Sequence, residues 1–99
     1  MTPRTFRTAV TVGHKDTHVV IVPFDPSDVW PGCAPVALSL EEDPRGGRGW
    51  PVSGTIGGWP FDGFVGRRYG RSYIILAPAF RTLRAINEGD EVEVTVSPT

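Results

Sequence analysis

The sequence predicts an all-β, mainly antiparallel barrel of six or seven strands with one or two short helices. Two observations carry this. Short β-branched or alternating runs recur from the first residues to the last. Twelve Gly and ten Pro are spread through the 99 residues without a collagen period, which favours many short elements over long helices. A chain of this length forms one domain, 1–99, and buries a single core without disulfides or a structural metal.

The first strand is expected over Phe6–Val12, with Phe6, Thr8, Val10 and Val12 on the inward face. After a turn carrying Gly13 and Asp16, His18–Val22 is apolar on both faces. It reads as a central strand antiparallel to the first and is stopped by Pro23. Asp25-Pro26-Ser27-Asp28 supplies an N-cap, a proline at N1 and an acid at N3 for a short helix that Pro31 and Gly32 end. Ala34–Leu40 can form a strand, whereas Glu41–Gly49 has the charge and Gly/Pro content of an exposed, mobile loop.

Trp50–Val65 is the most informative stretch. Gly57-Gly58 suits a two-residue primed hairpin turn. That turn opposes Ile56 to Trp59, Gly54 to Phe61, Val52 to Gly63 and Trp50 to Val65 on a core face. Large side chains are then expected to lie over each glycine, and Pro51 and Pro60 fall where no bond within the hairpin is lost. Ser72–Ala77 is a further strand. Pro78 opens a short helix with Phe80, Leu83 and Ile86 as its apolar stripe and Arg81 and Arg84 on its polar side. Asn87-Glu88-Gly89-Asp90 ends it, and Val92, Val94 and Val96 alternate inward in the final strand.

The formal net charge of −1 excludes whole-molecule attraction to nucleic acid or an anionic membrane. Cys33 is the only cysteine, so neither an intramolecular disulfide nor a multi-cysteine metal site is available, in keeping with a reducing, cytoplasmic setting. No stretch has the length of apolar sequence that crosses a membrane as a helix.

In order, FRTAV, VVIVPFD, PVSGTIGGWPF, SYIIL, an Arg-bearing helix and GDEVEV resemble the bacterial family called domain of unknown function 1905. Residues 33–49 look like an insertion in that pattern. The resemblance implies a double-split β-barrel, related in architecture to bacterial transition-state regulators, and no established activity. A family hairpin Asn is replaced here by Gly57, and the helix Arg corresponds to Arg81 or Arg84. Members often carry a YdeI-like domain, which implies a separate YdeI-like protein as one expected partner.

Charge is segregated: residues 66–87 hold five arginines and no acid, while 16–43 hold six acids and no Lys or Arg. The Gly66–Arg71 loop offers the guanidinium forks of Arg67, Arg68 and Arg71 and the ring of Tyr69 to an anion, and Arg81 and Arg84 extend the cationic set. The plainer alternative is a solvated loop whose arginines pair with the acidic segment. Gly70-Arg71-Ser72 is no phosphate loop, since Arg replaces Lys and a strand follows. His14, Asp16 and His18 under-ligate zinc, and no catalytic cysteine, nucleophile elbow or acid pair stands out, so no cofactor, metal or catalytic residue is expected. Trp30, Trp50 and Trp59 are expected in the core or at its rim. The expected function is a non-enzymatic binding or interaction module with an Arg-rich anion-binding loop, nucleic acid being its sharper ligand. The alternative is a small-molecule-binding or enzymatic accessory domain acting with the YdeI-like partner.

Overall fold

The computed structural model describes residues 2–99. Seven strands are present: β1 (Arg4–Val12), β2 (His18–Val22), β3 (Val36–Ala37), β4 (Arg48–Ile56), β5 (Trp59–Arg68), β6 (Arg71–Leu76) and β7 (Glu91–Pro98). Two short helices, α1 (Pro26–Val29) and α2 (Pro78–Arg84), join them, and His14–Asp16 forms a single 3-10 turn. All pairings are antiparallel, in the order β3-β4-β5-β6-β2-β1-β7, and β7 also pairs with β4, so six strands close a barrel and β3 stays outside it. No helix among the described residues is long and apolar enough to cross a membrane.

The hairpin register follows the Gly57-Gly58 turn. Both glycines have positive φ, +59° and +84°, as a primed turn requires, and the pairs run from Ile56↔Trp59 to Trp50↔Val65 as the sequence dictates. The two glycines facing the core have different reasons. A Cβ on Gly63 would stand 2.5 Å from the Phe61 ring, so an aromatic does cover it, from two residues back on the same strand. Gly54, in contrast, is not covered by Phe61: a Cβ there would run into the backbone carbonyl of Thr95 in β7, the strand paired with β4 at that point.

The second edge of β4 has two partners. β3 takes Arg48 and Gly49, and β7 takes Val52 to Ile56. Pro51 lies between them, at a position whose peptide group faces away from β5; it has no N–H to offer, and its carbonyl accepts from Thr99 at 3.0 Å. The missing donor thus falls where the edge changes partner.

The barrel fills with aliphatic side chains. Val20, Ile56, Val65, Ile74, Val94 and Val96 are fully buried. Trp30, also fully buried, closes one end in an edge-to-face stack with Phe24, 5.2 Å between centroids, and its indole N–H donates to the Thr2 carbonyl at 3.1 Å. Asp25 caps α1 as expected, accepting from the Ser27 N–H at 2.9 Å.

Several expectations need correction. Val12 is exposed because the barrel interior ends at Val10, and Ile21 is exposed on the outward face opposite Tyr73. Of Ala34–Leu40 only Val36–Ala37 forms a strand. Trp59, by contrast, is partly exposed, in keeping with the rim position the sequence allows. Of the apolar stripe expected on α2, Phe80 and Ile86 do pack on the core, but Leu83 is 72% exposed, and the Arg84 guanidinium stacks over Trp59 at 4.3 Å. The helix also ends before Asn87, at Ala85, whose φ is +55°.

Candidate functional site

The Arg-rich segment is strand rather than loop. β5 continues to Arg68, a two-residue turn of Tyr69 and Gly70 follows, and β6 begins at Arg71. Strand alternation therefore sends Arg67 and Arg68 to opposite faces. Arg67 turns toward α1: its guanidinium bonds Ser72 Oγ at 2.8 Å and faces Asp25 at 3.2 Å. Hydrogen bonds from Ser27, more than Arg67 itself, hold the Asp25 carboxyl below the usual carboxylate range. Among the described residues that is the one ion pair between the arginine cluster and the acidic segment, and it engages Arg67 away from any open anion site.

Arg68 lies on the outer face with Arg71 directly across the strand pair. Tyr73 shares that face, and its ring lies over Gly66 with 2.9 Å between the ring and the place a Cβ would take. The segment between β3 and β4 folds back over this ring. Its Asp43, 3% exposed, accepts the Tyr73 phenol at 2.6 Å and the Arg45 N–H at 2.9 Å. Full exposure of Glu41–Gly49 therefore does not hold at Asp43, and Arg48–Gly49 belong to β4. Burial raises the Tyr73 pKa above its ordinary 10, the bond to Asp43 raises it further, and Arg68 pulls the other way.

This strap leaves a concavity on either side of Tyr73. One, of about 870 Å³, is lined by Arg45 from the strap, Arg68, Tyr69 and Arg71 from the β5–β6 hairpin, and His14 from the 3-10 turn. Asp43 is its one carboxylate, already engaged by Tyr73. The other, of about 840 Å³, lies over the β5–β6 seam and takes in Arg81 with Phe61, Phe80 and a rim of acids.

The sequence-predicted residues thus divide four ways. Arg68, Tyr69 and Arg71 share the first concavity; Arg67 is tied to Asp25; Arg81 lines the second; Arg84 stacks on Trp59. Arg45 was missed, because a single Arg in a Gly-rich loop carries no sequence signal until Asp43 anchors that loop.

The family described as domain of unknown function (DUF1905) matches residues 6–96, nearly the whole chain and all seven strands in whole or part. The chain belongs to the DUF1905 family. No curated protein matches it. Of the two helix arginines that the DUF1905 pattern leaves open, Arg81 faces a concavity and Arg84 an aromatic ring, so they hold different environments in the same helix.

Proposed function

We propose that this protein is a non-enzymatic binding module that takes the phosphate backbone of single-stranded nucleic acid in the groove of Arg45, Arg68 and Arg71. One observation carries the reading: Arg68 and Arg71 are directly opposed on one face of the hairpin, and no carboxylate stands within 4.0 Å of either among the described residues. Like charges placed opposite one another repel, and an anion between them reverses the sign. Tyr69 supports it. Its φ of +53° is a conformation non-glycine residues disfavour, and the residue is 90% exposed in the concavity that Arg68 and Arg71 also line, where a base can stack.

Fluorescence anisotropy of a labelled oligothymidylate against the intact chain tests this. Three phosphate contacts on a single strand give a log–log salt slope of roughly −2. Changing Arg45, Arg68 and Arg71 together to Ser should flatten the slope, and Tyr69→Ala should weaken binding by about tenfold. Arg67→Ser should leave affinity unchanged, since that side chain is engaged by Asp25 and Ser72. An absence of binding at low salt, or binding that survives the triple change, would overturn the assignment.

A further inference from the structure

The β5–β6 ladder is short. It runs from Arg68↔Arg71 to Gly66↔Tyr73 and stops, although β5 continues back to Trp59 and β6 forward to Leu76. Neither Val65 and Ile74, the next couple in register, nor Phe64 and Ile75, the next that would exchange hydrogen bonds, pair. Peptide groups alternate between the two edges of a strand, so Asp62 and Phe64, at non-bonded positions toward β4, turn their N–H and C=O outward into this seam. They have no ladder partner. Pro60, the preceding outward-facing position, has no N–H, so the open edge is bounded on one side by a proline and on the other by the end of the ladder.

The surroundings of this edge are also defined. The 840 Å³ concavity opens along it, floored by Phe61 and Phe80, whose rings meet edge to face at 6.1 Å. Its rim holds Asp16, Glu41, Glu42 and Asp62 against Lys15 and Arg81. An unpaired edge recruits an added strand, an aromatic floor takes every second side chain of that strand, and an acidic rim favours positive charge on the others.

We propose that the open edge of β5 at Asp62–Phe64 binds an extended basic peptide segment as an additional strand. Apolar side chains of the segment face Phe61 and Phe80, and its Lys or Arg side chains face Asp62 and Glu41 on the outer side. The site lies across Tyr73 from the arginine groove and is independent of what that groove binds.

The test uses the full chain, isotope-labelled, and an end-blocked nonapeptide alternating lysine and valine. Saturable amide shifts and slowed hydrogen exchange should appear at Asp62 and Phe64. The same peptide N-methylated throughout should bind at least tenfold more weakly, and its counterpart with glutamate for lysine should not bind. Asp62→Ala, which removes the charge and keeps the N–H, should weaken binding several-fold, whereas Asp62→Pro, which also removes the outward donor without touching a bond to β4, should weaken it further. Failure of the lysine peptide to bind, or equal binding by its N-methylated or glutamate counterpart, would overturn the proposal, and neither result depends on a variant that must fold.

Discussion

At the scale of single residues, Gly54 and Gly63 show how one sequence signal conceals two physical causes. Both face a larger residue across the hairpin, yet only Gly63 is covered by a side chain, whereas Gly54 clears the path of a backbone. The two should respond differently to the same methyl group. Gly63→Ala meets the far end of a ring that can rotate, at a cost of about 1 kcal/mol; Gly54→Ala meets the Thr95 carbonyl and forces β7 away from β4, at roughly 3 kcal/mol or more. Urea unfolding of the two variants checks this, and equal midpoints would show that the β7 backbone does not press on Gly54. Arg67 and Arg68 teach the same lesson for charge. Adjacent in sequence, they face opposite sides of the sheet, so a cluster in the chain is not a cluster in space.

Among the elements, the strap between β3 and β4 is tied to the Tyr73 ring by one hydrogen bond. Asp43 is buried beneath it and holds the Tyr73 phenol, so Tyr73→Phe leaves a buried carboxylate short of its donor and should cost about 1–3 kcal/mol. The pH dependence has a definite sign. Because the folded protein raises the Tyr73 pKa, this contribution is complete below the ordinary value of 10 and is lost as pH rises through the raised value. Thermal melts between pH 9 and pH 12 should therefore fall more steeply for the natural chain than for Tyr73→Phe. Identical slopes would mean the phenol does not hold the strap. Turn chemistry made the β4–β5 hairpin and its register legible in the sequence, since Gly57-Gly58 leaves one consistent pairing, whereas Gly66–Arg71 reads as a loop and is mostly strand. The strap was not legible. A lone acid in a Gly- and Pro-rich run carries no pattern, and its partner lies 30 residues away. In α2 periodicity holds for Phe80 and Ile86 but fails at Leu83 for a related reason: the helix has only seven residues, and Arg84 stacks on Trp59 while Leu83 stays in solvent.

For the molecule as a whole, closure is the decisive event, and β7 alone accomplishes it. This strand pairs with β1 at couples such as Arg4↔Val96 and with β4 at couples such as Gly54↔Val96, so both of its edges are filled. Without it, β1 and β4 would each present a bare edge, and the valines of β7 would no longer seal the interior. A chain ending before Glu91 should therefore aggregate instead of giving a monomeric open sheet, as size-exclusion chromatography would reveal. There is also a consequence in time. β7 is the last of the seven barrel-sheet strands to leave the ribosome, and the contacts it makes with β1 span almost the entire sheet, so the loop-closure entropy of the longest-range pairing falls on the step that completes the barrel. The six earlier strands must wait during synthesis with two edges unsatisfied. The nascent chain is thus most exposed to misassociation just before Glu91 emerges, and refolding in vitro should be slow for its length, with a rate limited by the docking of β7.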